Sequence, residues 1–343
     1  MSFHRAIFLV VAALGASLPA FGGTVLFTCD PSVDTGTCTT LNGAIAALYS
    51  STFTNANANI YIQMAGTGLG SSMQYYDTVT YAAYYAALQG DESDANDVTA
   101  VNSLGSSSVN PVAPGDGIAL PSALAAALSL PGGTGITTGN FTCTLTDPGC
   151  YNGVITLGAT AGELYYRSGA QDPGSYDIYS VVEHEVDEIL GTSSCIAATG
   201  SPAAPVLSAD CVNNGNGSAA PDLFRYSDSL GDRSYINQGN GTTAYFSING
   251  GVTDIADYNN SPNGADYGDW DSSALRVQDA YGTPGISGMD ITNDGGSEIA
   301  VLDAIGYTLN TQGAVPEPGT MILFGTALGL VSGRAYWLRK RRS

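Results

Sequence analysis

Apolar residues recur at helical spacing in the centre of the chain and predict a helix over about residues 177–190. The apolar stripe consists of Ile178, Val182, Val186 and Ile189. The opposite face would carry the polar side chains of His184, Asp187 and Glu188, and Gly191 would end the helix. The pattern therefore predicts a helix that buries one side and presents a histidine and two acids on the other.

Around this helix, short strand patterns alternate with short helical patterns, which predicts an α+β fold with a small mixed sheet and loop-rich regions. β-Branched and aromatic residues mark the expected strands, 59–64, 154–157, 163–167 and 243–249. Helical patterns mark residues 41–49, 78–88, 121–128 and 297–307. Residues 91–117 are rich in Ser, Asn and Asp without clear periodicity, so a loop is expected there.

The chain begins with a sorting signal. Residues 1–22 combine a basic start, an apolar run and a small-residue exit, which is typical of a signal peptide handled by the Sec machinery. The apolar run is too short for a membrane span. The protein is therefore expected to be exported, with its ectodomain at residues 24–314.

A second signal occupies residues 315–343. Pro316, Glu317 and Pro318 form a helix-breaking start, a short apolar transmembrane segment follows at 319–333, and basic residues end the chain. This tail resembles the PEP-CTERM sorting signal of Gram-negative bacteria, which an exosortase recognises and removes. The resemblance implies an exosortase partner and transient anchoring in the inner membrane. The processed protein would then lie at the cell surface or outside the cell.

The exported region is strongly acidic. The chain has a formal net charge of −21 at pH 7, and outside the two signals it keeps four arginines and no lysine. Nucleic acids and anionic membrane surfaces are therefore not expected partners. Carboxylate oxygens suit hard divalent cations, so calcium is a candidate ligand, although solubility outside the cell accounts for the charge equally well.

All six cysteines lie in the exported region, as expected for an oxidising compartment. They form three pairs that are close in sequence, and no Cys-x-x-Cys spacing indicates a zinc cluster. Several connectivities are open. We favour disulfides between sequential partners: Cys29 with Cys38, Cys143 with Cys150, and Cys195 with Cys211.

Three residues of the predicted helix are candidates for chemistry. His184 and Glu188 are one turn apart, so both side chains could bind one metal ion. Glu185 follows the first of these ligands, where it could act as a general base on water. The alternative interpretation is a solvated acidic helix face on an acidic protein.

These residues resemble the zinc-protease helix motif His-Glu-x-x-His, in the longer form that continues to a glycine and a third ligand. His184, Glu185 and Gly191 match the motif, whereas Glu188 replaces the second histidine and Ser194 stands at the third ligand position. Glutamate is an acceptable zinc ligand, but serine is a poor one. The resemblance therefore implies a third ligand from elsewhere in the chain.

We nominate Asp222 as this third metal ligand, because it opens the distinctive segment Asp-Leu-Phe-Arg-Tyr. Asp187, which lies close to His184 on the helix, is the other option. Both positions are also typical of helix caps or surface carboxylates.

An ordered set of segments extends the resemblance to a family. Tyr-Asp-Ile-Tyr-Ser-Val-Val-Glu-His-Glu is followed by Asp-Leu-Phe-Arg-Tyr-Ser, Ala-Tyr-Phe-Ser-Ile-Asn-Gly-Gly, Tyr-Gly-Asp-Trp and Leu-Asp-Ala-Ile-Gly-Tyr. Over residues 55–308 this set resembles a bacterial family of exported metalloproteases, many of which carry such sorting tails. The resemblance implies a zincin-like catalytic domain, zinc as the cofactor and a protein or peptide substrate. In zincins a methionine turn often underlies the metal, and Met289 could take that position.

A non-catalytic function is the competing hypothesis. An acidic matrix or biofilm protein that binds calcium or extracellular polysaccharide would account for the sorting tail, the charge and the polar loops. It would leave the order of the metalloprotease-like segments unexplained. A degenerate peptidase fold retained for binding is a third hypothesis.

Overall fold

The computed structural model describes residues 22–112, 117–196, 217–227, 233, 243–260 and 266–311. The chain from Phe21 to Leu309 forms one compact unit. Residues 1–21 of the predicted signal peptide, the segment at 319–333 and Cys211 lie outside the described residues. Within the described ranges, no helix is long and apolar enough to cross a membrane.

Seven α-helices and a short 3-10 helix, Pro221–Phe224, are found in the described part of the chain, besides one π-helical turn. The α-helices are given first. In order, they are α1 (Thr35–Leu41), α2 (Ala47–Thr52), α3 (Tyr81–Gly90), α4 (Ala95–Leu104), α5 (Ser122–Ala127), α6 (Ile178–Leu190) and α7 (Ser297–Ile305). A π-helical turn, Asn42–Ala46, joins α1 to α2 without leaving helical backbone angles.

The strands are short. In order, they are β1 (Thr24–Cys29), β2 (Asn57–Met64), β3 (Gly70–Gln74), β4 (Tyr76–Thr80), β5 (Gly117–Pro121), β6 (Thr134–Ile136), β7 (Thr142–Thr144), β8 (Gly153–Leu157), β9 (Leu164–Tyr165), β10 (Tyr176–Asp177), β11 (Gly217–Ala219), β12 (Arg225–Tyr226), β13 (Tyr245–Phe246) and β14 (Ala256–Asp257). The largest sheet has the order β1-β2-β8-β3, in which the first three strands are parallel and β3 runs antiparallel to β8. This mixture of helices and small sheets agrees with the predicted α+β class.

Side-chain alternation explains how the largest sheet packs. In β2, Ala58, Ile60 and Ile62 are buried, while the residues between them are more exposed. Alternate residues of a strand point to opposite faces, so these three contribute to the hydrophobic core. Helix α6 also approaches β8 closely at Gly153, where an added Cβ would lie 2.5 Å from a side-chain carbon of Ile189.

Helix α6 has a cap at each end. Asp177 accepts a hydrogen bond from the backbone N–H of Tyr179, and Gly191 ends the helix with a φ of 124°. Arg167 forms a 2.6 Å ion pair with Asp177 and so fixes the first cap. These caps explain why α6 lies close to the predicted bounds.

The acidic face of α6 is only partly exposed, in contrast to the alternative interpretation of a solvated acidic face. Asp187 is fully buried and accepts a 2.6 Å hydrogen bond from the Tyr49 hydroxyl. Glu183 and Glu185 are also buried. His184 and Glu188 keep partial exposure. The side of α6 that carries Asp187 is therefore part of the core.

Residues 91–117, predicted as a loop, contain helix α4. Asp94 and Asp97 cap this helix reciprocally, because the side chain of each accepts a hydrogen bond from the backbone N–H of the other. Ala100, Val101 and Leu104 are buried, and α4 packs against α7. The expected strands at 163–167 and 243–249 shorten to β9 and β13, and the start of the expected helix 78–88 belongs to β4.

Two predicted disulfides, Cys29–Cys38 and Cys143–Cys150, are confirmed. Cys195 is disulfide-bonded as well, and its predicted partner Cys211 lies outside the described residues. The first bridge ties β1 to α1.

The two ends of the compact unit meet at Phe53. The backbone N–H of Gly23 donates to the Phe53 carbonyl oxygen at 2.8 Å, and Phe53 pairs with Leu309 in an isolated bridge. Next to it, the N–H of Thr54 donates to the carbonyl oxygen of Thr308 at 2.9 Å. The start of β1 and the chain after α7 are therefore joined through the end of α2.

Tyr49→Phe tests how α6 is anchored. The substitution removes the hydroxyl that donates to the buried carboxyl group of Asp187, so we expect the free energy of unfolding in urea to fall by about 1–3 kcal/mol. Tyr166→Phe, at a residue that is 39% exposed, serves as the control. It should change the free energy of unfolding by less than about 0.5 kcal/mol. Equal losses in both variants would contradict the anchoring role of Tyr49.

Candidate metal centre

Three side chains converge where α6 meets a segment that is distant in sequence. His184 Nε2 lies 3.8 Å from Oε1 of Glu188 and 3.6 Å from Oδ1 of Asp269. One potential ligand atom from each residue falls within 4.8 Å of the other two. We call these three residues the histidine–carboxylate group. Two of them come from the i, i+4 pair on α6, and tertiary packing brings in the third.

The ring of His184 has a defined orientation. Its Nδ1 lies 3.2 Å from the carbonyl oxygen of Val277. Because a carbonyl oxygen can only accept, Nδ1 carries the proton, and the lone pair of the neutral ring is on Nε2. That nitrogen faces Glu188 and Asp269. A backbone carbonyl on one ring nitrogen and an open lone pair on the other is the usual arrangement of a metal-binding histidine.

Both carboxylates of the group are also held by hydrogen bonds. Ser72 on β3 donates to Oε2 of Glu188 at 2.5 Å. Gln278 Nε2 donates to Oδ1 of Asp269 at 3.0 Å. The edge strand and the segment after Asp269 therefore help to orient the candidate ligands.

Glu298 on α7 organises the far side of the group. Its Oε1 accepts hydrogen bonds from the indole N–H of Trp270 at 2.8 Å and from the backbone N–H of Gln278 at 3.0 Å. Trp270 is buried and adjoins Asp269, and Gln278 adjoins Val277. One buried carboxyl group thus positions both the third acid and the carbonyl that orients His184.

Glu185 lies beside this group and lines a cleft together with His184. The cleft has an empty volume of ≈ 770 Å³, including the part open to solvent. Much of its wall is apolar: Leu69, Tyr176, Val181, Leu275, Ile286 and Met289. Met289 is therefore a wall residue of the cleft. Its predicted role beneath a metal ion stays a prediction.

Negative charge is concentrated around His184. Burial lowers the pKa of His184, but Glu188 and Glu185 outweigh this effect and raise the pKa above its ordinary value. Burial, followed by the charge of Glu188, raises the pKa of Glu185 well above its ordinary range. Burial and the charge of Asp266 do the same to Asp269. A bound cation would relieve this repulsion, so the donor set fits a divalent metal.

The nominated third ligand, Asp222, does not join the group. It accepts hydrogen bonds from the Ser194 hydroxyl at 2.5 Å, the Cys195 N–H at 3.0 Å and the Ala219 N–H at 2.9 Å. It therefore anchors the loop that follows α6, and Ser194 is its partner. Asp187, the other option, is held by Tyr49 in the core.

Only an indirect signal in the sequence points to Asp269. The residue lies in Tyr-Gly-Asp-Trp, one of the segments that carry the family resemblance, but no spacing rule links this segment to His184. The buried indole of Trp270 is what fixes this acid in place.

Comparison with known proteins identifies the tail. Residues 314–341 match the PEP-CTERM protein-sorting motif, which confirms the resemblance seen in the sequence. The motif implies export and exosortase processing, with anchored sorting at the membrane followed by delivery to the surface. The Gram-negative origin stays a prediction. No curated protein and no solved structure matches the chain.

Gly70→Ala tests the contact between β3 and Glu185. A Cβ at Gly70 would lie 2.5 Å from Oε1 of Glu185 and 2.8 Å from Cγ1 of Val181. Glu185 would have to leave its position, and the branched Val181 side chain is stiff. We therefore expect the free energy of unfolding to fall by about 1–3 kcal/mol.

The matched control for this substitution is Gly43→Ala. Nothing lies within 4 Å of a Cβ at Gly43, which is in the helical turn between α1 and α2. Alanine favours helix over glycine, so this variant should be neutral or more stable by up to about 1 kcal/mol. If chemical denaturation showed the same loss of unfolding free energy in Gly70→Ala and Gly43→Ala, a specific steric conflict at Gly70 would be ruled out.

Proposed function

We propose that the exported unit is a zinc-dependent metallopeptidase with a zincin-like catalytic helix. The observation that carries the proposal is the meeting of His184, Glu188 and Asp269 beside Glu185, with His184 and Glu185 lining an open cleft. Imidazole nitrogen and carboxylate oxygen are both zinc ligands, and three protein ligands are usual in catalytic zinc sites.

The surroundings of the ligands support zinc over calcium. The neutral ring of His184 offers Nε2, and a nitrogen ligand suits zinc, whereas calcium takes oxygen ligands. The carbonyl of Val277 behind the ring supplies the outer hydrogen bond that such sites commonly have. The carboxylates around His184 would neutralise the positive charge of the ion.

Glu185 is the residue that would move protons. Zinc bound at the group would polarise a peptide carbonyl and acidify water. Glu185, next to His184 and facing the cleft, would take a proton from the attacking water and return it to the leaving nitrogen.

The position of β3 supports an extended peptide as the substrate. The four-stranded sheet ends at β3, and Gly70, its first residue, lines the same cleft as Glu185. An extended peptide can add to a strand edge through backbone hydrogen bonds, with side chains entering neighbouring pockets. The apolar walls of the cleft would accept an apolar side chain of the substrate.

Metal content tests the ligand set. We expect the purified protein to hold about one zinc per chain by elemental analysis, and His184→Ala and Asp269→Asn to lose most of it. Asp271→Asn is the matched control, because Asp271 is two positions from Asp269 and outside the group. Zinc retained in both ligand variants would exclude this site.

Glu185→Gln tests the proposed base. The amide keeps the size of the side chain but cannot accept the proton, so cleavage of casein or of a quenched fluorescent peptide should fall at least about 100-fold. Zinc content and thermal unfolding should stay close to those of the unsubstituted protein. Glu92→Gln, an exposed glutamate outside the cleft, should keep full activity. Zinc binding without any cleavage dependent on Glu185 would instead support the non-catalytic hypothesis.

A further inference from the structure

A second carboxylate cluster lies between α4 and α7, apart from the cleft. Asp94, Asp97 and Asp303 each offer one oxygen, and the three oxygens lie within 4.8 Å of one another. Asp97 is 8% exposed and Asp303 is 2% exposed. The first two cap α4, and the third is on the helix that packs against it. The proposed chemistry on α6 uses none of them.

Helix capping uses only one oxygen of each acid on α4. Oδ1 of Asp94 accepts from the backbone N–H groups of Asn96 at 2.7 Å and Asp97 at 3.2 Å. Oδ2 of Asp97 accepts from the N–H groups of Ser93 at 2.6 Å and Asp94 at 3.1 Å. Among the hydrogen bonds of the described residues, the second oxygen of each carboxylate stays available to another ligand.

Asp303 supplies an independent indication of a missing partner. Its Oδ1 is buried and has no hydrogen-bond partner. A buried polar atom without a partner is costly, and the cost is greater for a charged group. Burial, followed by the charges of Asp97 and Asp94, raises the pKa of Asp303 to about 8. The Asn96 side chain forms a hydrogen bond with this carboxyl group, but Oδ1 stays without a partner and faces two like charges where a counter-charge is needed.

We propose that Asp94, Asp97 and Asp303 bind a calcium ion that joins α4 to α7. All three ligands are carboxylate oxygens, which hard cations prefer, and the cluster offers none of the nitrogen or sulfur ligands that favour zinc. Calcium accepts irregular geometry and additional water ligands, whereas magnesium requires a nearly regular octahedron.

Calcium at this position would support the fold around α7. That helix also carries Glu298, which positions Trp270 and Gln278 beside the histidine–carboxylate group. The cation would bring α4 and α7 together by neutralising the acids between them. The site stands independently of the proposed peptidase activity, because it shares no ligand with the group on α6.

Calcium-dependent thermal unfolding of the purified full-length protein tests this site, with ionic strength kept constant by sodium chloride. Calcium sites in extracellular modules commonly have a Kd of about 0.1–1 mM. At about 10 mM calcium we therefore expect Tm to rise by roughly 3–8 °C. Asp303→Asn should abolish the rise.

Asp94→Asn provides a second variant that keeps the fold. Asparagine caps helices as well as aspartate does, so only the charged ligand is lost, and the calcium-induced rise in Tm should be lost with it. Glu92→Gln is the matched control, because this exposed acid is two positions from Asp94 and outside the cluster. It should keep the full rise in Tm.

His184→Ala separates this site from the candidate metal centre. It should keep the calcium-induced rise in Tm, since His184 is not a ligand of the cluster. The proposal is overturned if calcium does not raise Tm in the unsubstituted protein, or if the rise survives both Asp303→Asn and Asp94→Asn. A rise lost only in His184→Ala would place calcium at the other group and would likewise overturn it.

Discussion

The hydrogen bonds to Glu298 are the constraint on which the candidate metal centre depends. A single carboxyl oxygen accepts from the indole of Trp270 and from the backbone of Gln278. Burial raises the pKa of Glu298 to about 8, so its environment disfavours a bare charge and makes the two donors important. Through these contacts α7 determines where Asp269 lies and where the Val277 carbonyl meets His184. The group on α6 is therefore assembled by the last helix of the compact unit.

The acids of α6 divide into supporting and chemically available side chains. Glu183 accepts a 3.0 Å hydrogen bond from the backbone of Ile291, and Asp187 accepts one from Tyr49. Both are buried in the packing around the helix. Glu185 and Glu188 instead adjoin His184, and Glu185 reaches the cleft wall. A short acidic helix thus serves as a core element on one side and as a ligand-bearing element on the other.

Local patterns were sufficient for α6 but not for the complete group. The caps at Asp177 and Gly191 and the spacing of His184 and Glu188 are readable, because each depends on residues within a few turns. Asp269 was not predictable, since its position depends on tertiary contacts of Trp270 and α7. Asp222, which was nominated, has a distinctive sequence context because it anchors a loop. An unusual sequence around a residue indicates that the residue is important, but it does not distinguish a structural role from a chemical one.

The missed helix α4 has a different cause. Its polar composition suggested a loop, although Asp94 and Asp97 form a capping pair and the buried residues Ala100, Val101 and Leu104 recur at helical spacing. The apolar positions are few because α4 buries only one narrow side. The capping pair is therefore a better sequence indication of α4 than its polar composition.

The junction at Phe53 has a consequence for how this unit can be joined to other segments. Gly23 and Leu309 reach the same residue from opposite ends of the unit, so its entry and exit points are neighbours. Domains with adjacent termini commonly tolerate insertion into a host protein and circular permutation. The two ends of the unit are close enough that a short linker between residues 22 and 310 would join them and make the chain cyclic.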